Sequence, residues 1–265
     1  MSLDISSLDH SAVAGRLRAA GCVFAEDEAG LLIATATGPE ELAVMVGRRV
    51  AGEPLEHVLG WAEFCGLRIS VGPGVFVPRR RTEFLVEQAV SLAHDGAVVV
   101  DLCCGSGAVG AAVLAHRPSI ELHAVDIDPE AIQYARRNLP HGHVYRGDLY
   151  TPLPEGLRGR VDVLVASTPY VPTGAIGLLP PEARLHEPHL ALDGGADGLD
   201  IVRRVTAAAP DWLAPGAHLL LETSAGQAAA AVTAVTRSGL IPHVAGCDEL
   251  DATVVTGAVA TARPV

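Results

Sequence analysis

In Val98-Val99-Val100-Asp101-Leu102-Cys103-Cys104-Gly105-Ser106-Gly107-Ala108-Val109-Gly110, a β-branched run without helical period ends in an acid, and a glycine-rich turn then opens into an alanine-rich segment. The pattern is that of a buried strand, a tight loop and a helix. Loops of this build hold nucleotides, because glycine lets the backbone close on a ligand. Gly105, Gly107 and Gly110 satisfy G-x-G-x-x-G, a spacing common to dinucleotide-binding and methyl-donor-binding folds.

The neighbouring acids separate the two. Asp101, at the strand end beside the turn, would repel a pyrophosphate and attract the amino group and sulfonium of S-adenosylmethionine, so the methyl donor is favoured. About twenty residues on, where a ribose-binding acid is expected, Glu121-Leu122-His123-Ala124-Val125-Asp126 reads as a second strand whose terminal carboxylate can accept from ribose hydroxyls. A third strand, Val144-Tyr145-Arg146-Gly147-Asp148, ends in an acid able to accept from an adenine amine. Asp126 or Asp148 alone also reads as an ordinary strand-end residue; three acids in phase after three successive strands favour a ligand. The donor site is therefore expected at Asp101, Cys103, Cys104, Gly105, Ser106 and Gly107, at Asp126 with Ile127, and at Asp148 with Leu149.

The bulk composition narrows the classes. A chain of 265 residues, half of them apolar but only 4% aromatic, can bury a core packed from Ala, Val and Leu. A net charge of -12 argues against an extended nucleic-acid face, which needs clustered Lys and Arg. The five cysteines are odd in number and lack CxxC or Cys/His spacing, which points to a reducing compartment and no structural metal. Cys103 and Cys104 read as small packing residues. The start Met1-Ser2-Leu3-Asp4 has no basic segment followed by an apolar one, and no run of about 18 apolar residues occurs. A cytoplasmic protein without membrane contact is expected.

Residues 8–52 carry three short helical patterns punctuated by Gly21, Gly38 and Gly52, with Pro39, Glu40 and Glu41 forming a favourable helix start. Arg48 and Arg49 near the end of the third pattern either balance its C-terminus or offer a surface to an acidic partner. Glu63–Val71 alternates as one strand of a hairpin that ends at Val75-Phe76-Val77-Pro78-Arg79, and this hairpin is the expected hinge. From Ala97 onward strands and helices alternate, as in a doubly wound α/β sheet with ligands at the carboxyl ends of its strands. Seven strands closing with a hairpin is the layout of class I, Rossmann-like, S-adenosylmethionine-dependent methyltransferases. The expected boundaries are a small helical domain over 1–60, a hairpin linker over 61–80 and a methyltransferase domain over 81–265.

Further residues go beyond a generic fold. Leu179-Pro180-Pro181-Glu182-Ala183-Arg184, His186-Glu187-Pro188, Ala191-Leu192-Asp193-Gly194-Gly195-Ala196-Asp197-Gly198-Leu199 and Leu221-Glu222 with Gln227 closely resemble the HemK-type protein glutamine methyltransferases. Pro54-Leu55, Gly60, Glu63-Phe64, Gly66 and Pro78-Arg79 with Thr82-Glu83 are similar to that family's interdomain segment. The likeness covers roughly residues 50–260. It implies an N-terminal helical domain that recognises substrate. It also implies transfer of a methyl group to a glutamine amide, best known in the Gly-Gly-Gln motif of peptide-chain release factors.

The family's Asn-Pro-Pro-Tyr stands here as Ser167-Thr168-Pro169-Tyr170, the expected catalytic residues, and the resemblance also adds Ser167 to the expected donor site. An amide nitrogen is a poor nucleophile, and the family's Asn carbonyl and the next backbone carbonyl accept its two hydrogens and aim it, so positioning carries the catalysis. The Thr168 carbonyl can keep one contact and Tyr170 can pack on the acceptor, whereas Ser167 is shorter and leaves a gap or admits a water. Arg79-Arg80-Arg81 likewise replaces the family's Pro-Arg-Pro-Glu pattern, either as a solvated charge run or as the mark of a different substrate. Three readings follow: a methyltransferase for a glutamine amide in a release-factor-like protein, or for a related nitrogen including that of a small molecule; a nucleobase amine methyltransferase; and a donor-binding protein that has lost catalysis.

Overall fold

The computed structural model describes residues 9–260; the Met1-Ser2-Leu3-Asp4 start lies outside the described residues. Four helices come first: α1 (His10–Ala19), α2 (Ala25–Thr35), α3 (Pro39–Val50) and α4 (Leu55–Leu59). Asp9 caps α1 by accepting from the Ala12 N–H at 2.7 Å, and Pro39 opens α3. These helices close on their own core, which includes Val13, Leu17, Ala29, Leu32, Met45 and Val46.

Beyond them lies a hairpin of β1 (Trp61–Phe64) and β2 (Leu67–Ser70), antiparallel with Phe64 opposite Leu67. This corrects the reading of Glu63–Val71 as a single strand, because the reversal falls inside it. Cys65 (φ 49°) and Gly66 (φ 72°) both adopt the left-handed region that a two-residue hairpin turn requires. The hairpin expected as a hinge is also fastened. Asn138 accepts from the Ser70 N–H and donates to the Ser70 carbonyl, both at 2.9 Å, and donates to the Ser106 carbonyl at 2.8 Å.

After α5 (Glu83–Leu92) the chain builds β3 (Val98–Leu102), α6 (Ala108–His116), β4 (Glu121–Asp126), α7 (Pro129–Asn138) and β5 (His143–Arg146). It continues through β6 (Val161–Ala166), α8 (Pro181–His186), α9 (His189–Leu192), α10 (Asp200–Ala208) and β7 (Leu213–Thr223). The last elements are α11 (Ala228–Arg237), β8 (Ile241–Cys247) and β9 (Ala252–Ala258). The seven strands run in the order β5-β4-β3-β6-β7-β9-β8, with β9 antiparallel to both neighbours and the other pairings parallel.

β3 is buried along its whole length, Val99 facing one core and Val98, Val100 and Leu102 the other. That two-sided burial is why its sequence is continuously apolar up to Asp101. The strand order reverses between β3 and β6, which opens a crevice beyond their carboxyl ends. Among the described residues, no helix is long and apolar enough to cross a membrane.

Candidate active site

A cavity of about 480 Å³ occupies that crevice. The three glycines of the loop after β3 serve it in different ways. Gly105 (φ 54°) and Gly107 (φ 79°) make the turn, and a Cβ on Gly107 would come within 2.9 Å of Leu139 and 3.2 Å of the Ala135 backbone. Gly110, inside α6, donates its N–H to Asp101 Oδ2 at 3.0 Å, and its missing side chain admits that carboxylate to the helix.

Asp101 is buried, and burial pushes its carboxyl up to about 7; the Gly110 N–H pulls it down and the Asp126 charge adds to the rise. Asp126 accepts from the Gly105 N–H through Oδ2 and from the Asp128 N–H through Oδ1, both at 2.8 Å, so it ties the glycine loop to the end of β4. Burial raises its carboxyl too, against those backbone donors. Neither acid forms an ion pair among the described residues, and both line the cavity. Two desolvated carboxylates without a cation fit a cationic ligand, and the close-approach loop beside them fits a nucleoside.

Asp148 also lines the cavity but is half-exposed and paired with Arg204 Nη2 at 2.6 Å, a partner that strand-end reasoning could not supply. Ile127 (44% exposed) and Leu149, held at φ 48°, add apolar wall. Burial raises the Cys103 and Cys104 thiols, which keeps them neutral packing groups in the loop. Ser106 is buried beside them. Among the described residues, no group of three or more His, Cys, Asp or Glu side chains could hold a metal ion.

Ser167-Thr168-Pro169-Tyr170 leaves β6 on the other side of the cavity. Its backbone is held from behind. Gln227 donates through Nε2 to the Tyr170 carbonyl at 2.8 Å and to the Asp197 carbonyl at 3.0 Å. A Cβ on Gly194 would lie 2.6 Å from the Pro169 carbonyl oxygen, and one on Gly198 would lie 2.2 Å from that of Tyr170. The Thr168 hydroxyl is buried without a hydrogen-bond partner. Ser167 Oγ donates to Glu222 Oε2 at 3.2 Å. Glu222 belongs to the quoted family pattern, but sequence reasoning gave it no role.

The remaining wall comes from the segment after the hairpin and from α8. Glu187, almost wholly buried, accepts from the Val77 N–H at 3.1 Å and pairs with Arg79, whose guanidinium lies 4.7 Å from the Phe76 ring centroid. Of the arginine run, Arg79 is thus a structural strut. Arg81 lines the cavity without an ion pair among the described residues. Arg49 is neither a simple helix balance nor a free surface: it pairs with Glu28 at 2.6 Å and reaches Glu182 of α8 at 2.7 Å.

Comparison with known proteins places the fold in a family. Residues 66–175 match the family described as Methyltransferase small domain. The crystal structure of a methyltransferase from Pyrococcus furiosus has the same fold, with a TM-score of 0.55 at 16% identity over 74% of this chain and 90% of that one. Fold and site define an α/β methyltransferase of the seven-stranded class. The chain is 41% identical over 208 residues to the release factor glutamine methyltransferase of Geobacter sulfurreducens, covering 76% of this chain and 72% of that protein. It is 40% identical over 233 residues to that of Mycolicibacterium smegmatis, covering 84% and 82%. The chain belongs to the release factor glutamine methyltransferase family.

Proposed function

We propose that this protein is an S-adenosylmethionine-dependent N-methyltransferase whose acceptor is the side-chain amide of a glutamine in a release-factor-like protein. The observation that carries the reading is one cavity with Asp101 and Asp126 at one side and the clamped Ser167–Tyr170 turn at the other. S-adenosylmethionine supplies a methyl group on a sulfonium. Asp101 answers the donor's amino-acid end, Asp126 its ribose, and Asp148 its adenine while shared with Arg204. Cys103, Cys104, Gly105, Ser106 and Gly107 bring backbone against it, and Ile127 and Leu149 supply apolar contact. The Thr168 carbonyl takes one hydrogen of the acceptor amide and Tyr170 packs against it, so orientation lowers the barrier.

Residues 1–60 act as the recognition domain, 61–80 join it to the cavity, and 81–265 carry out transfer. Leu178, Leu185 and Leu190, all strongly exposed on the segment whose Leu179, Pro180 and Ala183 line the cavity, supply apolar surface for a protein acceptor. The test is incubation of the full chain with labelled donor and a release factor, followed by mass mapping of the product. One methyl group on a glutamine side chain is expected, and a release factor left unmodified under donor-saturating conditions would reject the reading. A related nitrogen acceptor, including a small molecule, is favoured by one pair of features only: the short Ser167 and the unpaired Arg81 on the same wall.

A further inference from the structure

Ser167 Oγ donates to Glu222 Oε2 at 3.2 Å, and both residues line the cavity, Ser167 part-exposed and Glu222 only 3% exposed. A serine hydroxyl has one hydrogen and two lone pairs. With the hydrogen committed to the carboxylate, the lone pairs are left for a donor in the cavity. The register of β6 on β7 brings the two together, because Ala166, the last residue of β6, lies opposite Leu221, and the residues that follow these are Ser167, just past the end of β6, and Glu222 of β7.

Resting on the proposed function, we infer that Glu222 is a positioning residue that acts through Ser167. It orients the hydroxyl so that Oγ accepts one N–H of the glutamine amide, and it receives the proton relayed through that hydroxyl as methylation proceeds. The step balances. The amide nitrogen forms a bond to the methyl carbon as the carbon–sulfur bond breaks, and that electron pair stays on sulfur. The nitrogen's lost proton passes to Ser167 Oγ while the hydroxyl proton passes to Glu222. Withdrawing the proton as the bond forms offsets the delocalisation that makes an amide a weak nucleophile. The residue that replaces Asn in the tetrapeptide thereby gains a chemical partner that a carboxamide would not need.

The surroundings suit a carboxylate that must take up a proton. Around Glu222 stand the Ser167 and Thr82 hydroxyls and the Arg81 guanidinium, with Tyr170 farther out on the same wall. Burial pushes the Glu222 carboxyl above the usual glutamate range, and the Thr82 and Ser167 hydroxyls and Arg81 pull it part of the way back. Its proton-accepting form is therefore lost as pH falls through a value higher than that of an exposed glutamate.

The experiment measures kcat against pH, from about pH 5.5 to 9, for the whole chain as wild type, Glu222→Gln, Ser167→Ala, Ser167→Asn and the Ser167→Asn, Glu222→Gln double variant, using a Gly-Gly-Gln peptide and S-adenosylmethionine kept saturating at every pH so that titration of Asp101 does not enter. Donor affinity is measured by calorimetry on each. Glutamine at 222 still orients the hydroxyl but takes no proton, so kcat should fall on the order of a hundredfold, the size of a lost general base. The acid limb should vanish, while peptide KM and donor Kd stay within about twofold. Ser167→Ala should lose the same limb, which keeps the test valid if the 222 variant folds poorly. In a Ser167→Asn background, Glu222→Gln should cost far less, because an asparagine carbonyl takes the amide hydrogen without a relay. A wild-type acid limb and kcat retained in either Glu222→Gln or Ser167→Ala, with donor affinity intact, overturns this inference alone. Wild-type enzyme that leaves the glutamine unmethylated overturns the functional reading and this inference with it.

Discussion

Arg49 Nη1 lies 2.7 Å from Glu182 Oε1, which joins the last turn of the third helix to the α8 wall of the cavity. The same guanidinium pairs with buried Glu28. Its two partners predict different losses. Arg49→Met leaves Glu28 buried without a counter-charge and should destabilise the protein by about 3 kcal/mol or more, read as a fall in urea midpoint. Glu182→Gln removes a half-exposed partner and should cost at most about 1 kcal/mol, yet should raise KM for a protein acceptor more than for a short peptide.

Asp126 holds the Gly105 N–H and, under the proposed function, would also face the ribose. Asp126→Ala should weaken S-adenosylmethionine binding about tenfold or more, in line with charge-assisted hydrogen bonds of ~1.5 to 3 kcal/mol. Unchanged calorimetric affinity would count against the assignment. NAD should give no comparable heat.

Donor affinity should depend on pH through Asp101, whose carboxyl burial lifts to about 7. The ionised form attracts the donor's cations, so affinity is full above that value and is lost as pH falls through it. Between pH 8 and pH 6 the ionised fraction drops roughly tenfold, and Kd should rise by about as much. Asp101→Asn should bind more weakly at pH 8 and show a flat profile across the same range. A sloping profile in that variant would assign the titration to another group.

Ser167→Asn tests the acceptor. On a Gly-Gly-Gln peptide the longer carboxamide should raise kcat by one to two orders of magnitude, equivalent to a contact of ~1.4 to 2.7 kcal/mol at the transition state. A slower variant on that peptide would instead support a smaller or differently shaped nitrogen acceptor.

The strand, glycine loop and strand-end acids that line one side of the cavity were legible in the sequence because their demands are local. A strand buried on both faces must be apolar along most of its length, a tight loop must be glycine-rich, and the acids lie at or within two residues of their strand ends. The hairpin reversal was not, since nothing in the identity of Cys65 announces a positive φ. The arginines were readable only as charge. Arg49 finds Glu182, and Arg79 finds Glu187, across long stretches of chain that only the folded domain brings together. The Ser167–Glu222 contact belongs to the same group: both residues stood in recognised motifs, but their meeting depends on the register of β6 against β7.

One hydrogen bond from Gln227 to the Tyr170 carbonyl, a second to the Asp197 carbonyl and the bare Cα atoms of Gly194 and Gly198 hold the main chain of Pro169 and Tyr170, and none of these contacts is made by the side chain at 167. Frame and cargo are thereby decoupled. A Ser or an Asn at 167 within such a socket should therefore present a different group to the acceptor without moving the rim that holds it. New acceptor preferences are then reachable by single substitutions at the turn, each tested against an unchanged scaffold, whereas replacing Gln227 or Gly198 would disturb every acceptor alike.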